Sequence, residues 1–115
     1  MSLKIVERDV DGVSVLALEG RVVLGEESSL LRGKVKGLLG QGKKKLVLNV
    51  DKVTMIDSAG LGALVAAYSS AKSAGASVRL SNLGAHFSQL LQITKLLTVF
   101  DVSKTEDEAI RSFSK

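Results

Sequence analysis

The stretch KLVLNVDKVTMIDSAGLGALVAAYSSAKSAGASVRLSN, residues 45–82, decides the fold of this 115-residue chain. It opens with KLVLNV, an apolar run typical of a buried strand, and the short run VTMI follows it. Residues 59–74 then carry apolar side chains such as Leu61 and Leu64 at helical spacing, and Gly75 ends this helix. Because SVRLSN is again strand-like, the stretch predicts a strand–helix–strand unit of a parallel sheet.

The flanking sequence extends this pattern. LKIVERD and GVSVLALEG are strand-like runs separated by Asp11 and Gly12, a strong tight-turn signal, so we expect an antiparallel hairpin there. The remaining predicted elements are a helix over residues 26–39, a helix over 84–96, the strand LTVFDV and a last helix capped by Thr105 and reaching Phe113. The sequence therefore predicts one α/β domain over residues 1–115, with a mixed, mostly parallel sheet and about four helices.

Composition excludes several classes of protein. The absence of cysteine excludes a disulfide framework and a thiolate metal site. The excess of 16 Lys and Arg over 12 Asp and Glu is modest, and one Tyr and three Phe make a poor stacking platform, so we expect no nucleic-acid partner. The N-terminus lacks a signal-peptide core, and the uncharged run over residues 58–71 is too short to span a bilayer. We expect a cytoplasmic protein without membrane insertion.

Asp57 and Ser58 lie where a predicted strand ends and a helix begins, which is where sites gather in parallel sheets. The simplest interpretation of Ser58 is structural: its hydroxyl would cap the helix by accepting from a first-turn N–H. Gly60 and Gly62, however, weaken that turn by about 1–2 kcal/mol. They leave bare backbone that another molecule can approach, and a helix N-terminus tolerates an anion such as phosphate. This arrangement predicts a serine that is modified or that meets a partner.

Other chemistry fits this segment poorly. A P-loop needs a lysine that DSAGLGAL lacks, and Val65 breaks the dinucleotide-binding pattern begun by the two glycines. A nucleophile elbow would need glycine in place of Ile56. The only histidine, His86, is expected to have a surface or packing role. No metal-ligand spacing is present, so the sequence predicts no metal, no cofactor and no catalytic residue.

The segment resembles a hallmark of the STAS domains of bacterial anti-sigma-factor antagonists. Their motif, D-S-[SA]-G-L-G at the start of a helix, matches Asp57, Ser58, Ala59, Gly60, Leu61 and Gly62. GVSVLALEGRVVLGEESSLL is similar to the family's second strand, glycine turn and first helix, and LLQITKLLTVFDV to its C-terminal helix and strand. The similarity covers the whole chain and implies a STAS fold.

The resemblance also implies a regulatory circuit. Ser58 would be phosphorylated by an anti-sigma factor that is also an ATP-dependent, magnesium-using serine kinase. The unphosphorylated antagonist would bind that anti-sigma factor and free the sigma factor, phosphorylation would break the complex, and a metal-dependent serine phosphatase would restore it. The implied partner-binding residues are Asp57, Ser58, Ala59, Gly60, Leu61 and Gly62, together with Val22, Val23, Leu24, Gly25 and Glu26 in the preceding loop.

One departure from the family keeps alternatives open. Val23 stands where many members carry an aspartate, although Glu26 or Glu27 could supply a compensating charge. One alternative is a STAS subunit of another assembly, either a stress-sensing complex or one associated with an ABC transporter, that is not regulated through Ser58. Another is a small hydrolase using Ser58 and Asp57, which the lack of a nearby base in the sequence disfavours.

Overall fold

A five-stranded sheet, in the order β1-β2-β3-β4-β5, organises the computed structural model, which describes residues 3–114. The elements are β1 (Leu3–Val10), β2 (Val13–Val22), α1 (Glu26–Gly40), β3 (Lys45–Ile56), α2 (Ser58–Ser73), β4 (Ser77–Ser81), α3 (Ala85–Ile93), β5 (Asp101–Ser103) and α4 (Glu106–Ser112). β1 pairs with β2 antiparallel, and all the other pairings are parallel. The predicted fold class is confirmed.

The N-terminal hairpin turns where the sequence predicts it. Asp11 and Gly12 adopt φ values of 54° and 80°, the left-handed conformation that a tight two-residue hairpin turn needs at both central positions. Val10 and Val13 are the last pair of the ladder before the turn. β2 thereby becomes an inner strand, flanked by β1 and β3.

The two faces of the sheet are covered by different helices. Leu16 and Leu18 of β2 belong to the main core, which α1, α2 and α3 cover, whereas Val13 and Val15 pack against α4. These four side chains are at most 2% exposed. This burial on both faces explains why the run VSVLAL is apolar except for the buried Ser14. Among residues 3–114, no helix combines the length and apolar character needed to cross a membrane.

Two predicted elements are shorter in the structure. α3 ends at Ile93 instead of residue 96, because Lys95 takes a left-handed φ of 62° and the Leu96 N–H donates to the Leu91 carbonyl at 2.8 Å. This is a Schellman end without its usual glycine. The predicted strand LTVFDV contributes only its end to β5, because Phe100 turns inward onto the Tyr68 ring, with 5.6 Å between centroids.

The pairing of β2 with β3 brings two strand ends to one edge of the sheet. The runs KLVLNV and VTMI form one strand, β3, whose register against β2 shifts twice. After these irregularities Val22 pairs with Ile56, and the Asp57 N–H donates to the Val22 carbonyl at 3.4 Å. Since α1 follows β2 and α2 follows β3, the two helices begin side by side at this edge.

Candidate functional site

Asp57 holds the start of α2. Its backbone is extended (φ −110°, ψ −173°), and Oδ1 accepts a hydrogen bond from the Gly60 N–H at 2.9 Å. Ser58 is the first residue of the helix. The simpler, structural interpretation of Ser58 as the helix cap is therefore wrong: the preceding aspartate caps α2, because it is the residue with the non-helical backbone that a cap requires.

The second carboxylate oxygen of Asp57 reaches another segment. Oδ2 accepts a hydrogen bond from the Leu24 N–H at 3.0 Å, which ties the β2–α1 loop to the start of α2. The hydrogen bond from Gly60, followed by that from Leu24, outweighs desolvation and lowers the pKa of Asp57. Asp57 is thus a carboxylate at neutral pH with both oxygens engaged.

Ser58 is left exposed by this arrangement. Because Asp57 supplies the cap, the Ser58 hydroxyl is not required for helix formation. It lies at the positive end of the α2 dipole, next to the ionised Asp57. The site therefore presents a hydroxyl that another protein can reach.

The two glycines of the first turn have different environments. A Cβ on Gly60 would lie 1.9 Å from the Val22 carbonyl oxygen, a distance no side chain tolerates. The interpretation that this glycine lets a partner approach is therefore wrong: Gly60 lets α2 pack on the end of β2. Outside its own helix, a Cβ on Gly62 would meet, within the described part of the chain, only an Arg32 guanidinium nitrogen, at 3.6 Å, which is an ordinary contact.

The β2–α1 loop has its own backbone constraint. Gly25 precedes α1 with φ 105° and ψ −135°, a conformation open essentially only to glycine. The Val23 carbonyl accepts from the Ser28 N–H at 3.1 Å, and the Gly25 carbonyl accepts from the Ser28 hydroxyl at 3.2 Å. Ser28 thus holds Val23 and Gly25, and Asp57 holds the loop's middle residue, Leu24.

Comparison with known proteins identifies the family. The family model described as STAS domain matches residues 4–109. This chain belongs to the STAS domain family. An anti-sigma-B factor antagonist of Listeria monocytogenes is 31% identical over 112 residues, covering 94% of this chain and 93% of the relative.

Solved structures share this STAS fold. A Thermotoga maritima protein, described as a candidate anti-sigma factor antagonist, has a TM-score of 0.89 at 25% identity, covering 96% of this chain and 95% of its own. Bacillus SpoIIAA, solved in its phosphorylated form, has a TM-score of 0.74 at 19% identity, covering 97% of this chain and 99% of its own. The resemblance noted in the sequence is therefore confirmed at the level of family and fold.

The predicted partner-binding residues of this STAS domain divide by burial. Val22 and Gly60 are buried and support the site from within, and Val23, Asp57, Ala59, Leu61 and Gly62 are partly buried. Ser58, Leu24, Gly25 and Glu26 are exposed, with Leu24 at 77%. The surface around the serine is therefore formed mainly by the β2–α1 loop and the mouth of α2.

Two residues near this surface were missed by sequence reasoning. Met55, which precedes α2 on β3, is 51% exposed and lines a small hollow with Ile56 and His86. Arg32 of α1 lies against Gly62. Strand alternation in VTMI would place Met55 on the same face as the partly buried Val53, so the sequence does not signal its exposure. Nor does the sequence indicate which α1 residue crosses α2, because that depends on how two helices pack.

Proposed function

We propose that this STAS domain is an anti-sigma factor antagonist controlled by phosphorylation of Ser58. Unphosphorylated, it binds an anti-sigma factor that is also a serine kinase, so the sigma factor is released. The observation that carries this proposal is an exposed serine that does not cap its helix and that lies beside a loop held in position by Asp57. The name of the Listeria relative supports the same role.

In the proposed reaction the domain is a substrate, and its partner supplies ATP and magnesium. The Ser58 oxygen attacks the γ-phosphorus of ATP, the bond to the β-phosphate oxygen breaks, and ADP leaves. The hydroxyl proton passes to a base of the kinase. A metal-dependent serine phosphatase reverses the modification by hydrolysis, returning Ser58 and inorganic phosphate.

The local charges and apolar side chains explain why phosphorylation would break the complex. A phosphate adds about −1.5 to −2 charges at neutral pH, and it would lie next to the ionised Asp57. Leu24 and Met55 offer an exposed apolar surface to a partner beside it. Burying a dianion in that interface would be strongly unfavourable, so one modification can move the binding equilibrium without refolding the domain.

Intact-mass spectrometry tests this proposal. The protein is incubated with ATP, magnesium and each candidate anti-sigma kinase of its host, beside the Ser58→Ala variant. Ser69→Ala is the matched control, because Ser69 is an exposed serine of the same helix. We expect one added phosphate in wild type and Ser69→Ala and none in Ser58→Ala. A phosphate that persists in Ser58→Ala, or none with every kinase, would contradict the proposal.

A second candidate is a STAS subunit of a larger assembly that works without phosphorylation. Val23 favours it, since a partly buried valine supplies no carboxylate where many family members carry one. Affinity capture that recovers an ABC ATPase or a stress-sensing complex, and no kinase, would support this alternative. Faster phosphorylation of Val23→Asp than of wild type would instead show that the kinase reads this position.

A further inference from the structure

Gly62 is the first-turn glycine that packing does not explain. Outside its own helix, and among the described residues, the only heavy atom within 4 Å of a Cβ at this position is a guanidinium nitrogen of Arg32, at 3.6 Å. The Arg32 side chain therefore lies over the bare backbone at Gly62. A larger residue would occupy the space between the guanidinium and α2.

Helix geometry limits the distance between this guanidinium and Ser58. α1 and α2 pack on each other and begin at the same sheet edge, and helical side chains lean toward the N-terminus of their helix, so Arg32 leans toward that edge. Ser58 and Gly62 are four residues apart on one face of α2, with Cβ positions about 5–6 Å from each other. The guanidinium nitrogen is therefore at most about 10 Å from the Ser58 Cβ.

The positive charge of Arg32 forms no ion pair within residues 3–114. The ion pairs formed within residues 3–114 use Arg8, Lys34, Lys43 and Arg111 as their cations, and none uses Arg32. Its side chain is exposed, so it can move the remaining distance toward a group on Ser58. Arginine suits a phosphate in particular, because its planar fork donates two parallel hydrogen bonds.

We infer that the Arg32 side chain binds the phosphate group carried by phosphorylated Ser58. This inference rests on the proposed function, in which Ser58 is phosphorylated. Arg32 pairs with the phosphoryl oxygens across Gly62 and holds the phosphate in one orientation against α1 and α2. It is a positioning residue: it stabilises the dianionic product and fixes how that product is presented to the anti-sigma factor and to the phosphatase.

Other charges around Ser58 act on the phosphate in every variant. Asp57 is adjacent, and Glu26 and Glu27 begin α1, so these carboxylates favour the protonated phosphate. The N-terminal dipole of α2 favours the dianion. Because none of these groups changes when Arg32 is replaced, any difference between variants in the pKa of the phosphate reports the effect of the guanidinium.

The test measures the second pKa of phosphoserine 58 by phosphorus NMR. Phosphoserine is incorporated at position 58 during protein synthesis, so no kinase is needed. We expect Arg32→Gln to raise this pKa by about 0.3–0.7 unit. Lys36→Gln, the matched control, removes an exposed cation one turn further along α1 and should shift it much less. Arg32→Lys, which keeps the charge but loses the fork, should fall between wild type and Arg32→Gln.

Equal shifts in Arg32→Gln and Lys36→Gln, or no shift in either, would overturn the inference. Both replaced side chains are exposed, and matching urea-unfolding midpoints check that the variants are folded. The titration is independent of any partner. A failed Arg32 effect would therefore leave the proposed function standing, whereas failure of every kinase to modify Ser58 would remove the proposed function without altering the titration.

Discussion

The starts of α2 and α4 show two uses of one local arrangement. Each helix follows a parallel strand, β3 or β5, and each is capped by a side chain. Asp57 accepts from the Gly60 N–H at 2.9 Å, and Thr105 accepts from the Glu108 N–H at 3.1 Å. At the level of the cap alone, the two helices have equivalent beginnings.

The first turns beyond the caps differ. The first turn of α4 carries three acidic residues that complement the helix dipole, and one of them, Glu106, also binds Arg8 at 2.7 Å and Asn49 at 2.9 Å. The first turn of α2 carries no acidic residue and has instead the exposed Ser58 and the buried Gly60. The start of α4 thus anchors a helix to the sheet. The start of α2 instead holds an exposed hydroxyl in position, without first-turn carboxylates to complement its dipole.

The largest expected effect is on Gly60. A methyl group there would overlap the Val22 carbonyl oxygen, so α2 would have to move away from β2. We expect Gly60→Ala to lower the free energy of unfolding by about 3 kcal/mol in urea titrations. An unfolding midpoint equal to that of wild type would show that the end of β2 yields easily and that packing does not require this glycine.

Much of the fold was predictable because it depends on local patterns. The hairpin at Asp11 and Gly12, the cap at Thr105 and the alternation of strands and helices all follow from spacing and turn chemistry within short windows. The motif around Ser58 likewise marked the position of the candidate site.

The errors concern backbone conformations and contacts that residue types and their spacing do not determine. Asp57 and Ser58 both have side chains able to cap, and only the backbone angles show that Asp57 does so. The need for Gly60 arises from Val22, on a strand that precedes it by nearly forty residues in the sequence. At the end of α3, Lys95 adopts a left-handed conformation that glycine usually occupies, so the sequence contains no glycine to mark this helix end.

The caps themselves provide the next test of the comparison. Thr105→Ala removes one hydrogen bond from α4 and should lower the free energy of unfolding by about 1 kcal/mol. Asp57→Ala removes two, one of which holds the β2–α1 loop, so its effect should be larger. Urea titration of both variants measures the difference. An Asp57→Ala effect smaller than that of Thr105→Ala would mean that the link to Leu24 contributes no stability.

The start of each of the two helices contains a carboxylate, Asp57 or Glu106, that makes the stability of the protein depend on pH. Hydrogen bonds lower the pKa of Asp57, and for Glu106 burial opposes ionisation but bonds from Asn49 and Arg8 prevail, so its pKa is lowered as well. The unfolded chain therefore binds protons at higher pH than the folded one. The resulting stabilisation is complete above the ordinary carboxyl pKa of about 4 and is lost as pH falls through the lower folded-state values.

Asp57→Asn tests this directly. Its amide oxygen can still accept from the Gly60 N–H, but its amide nitrogen cannot accept from the Leu24 N–H. We expect the variant to be less stable than wild type at neutral pH, with the difference shrinking as pH falls below about 4. Glu106→Gln should behave in the same direction. A difference that stays constant between neutral and acidic pH would exclude ionised Asp57 as its source.

The smallest expected effect concerns Gly62. Alanine fits there with only an ordinary contact to Arg32, so Gly62→Ala should raise the free energy of unfolding by about 0.5–1 kcal/mol through helix propensity. Gly37→Ala is the control, because Gly37 is exposed in α1 and, apart from its own helix backbone, no heavy atom of residues 3–114 lies within 4 Å of the added methyl. Equal gains in the two variants would show that folding does not need glycine at position 62. If Gly62→Ala then slows phosphorylation of Ser58 while Gly37→Ala does not, the glycine serves the site; a stability loss like that of Gly60→Ala would instead make it part of the packing.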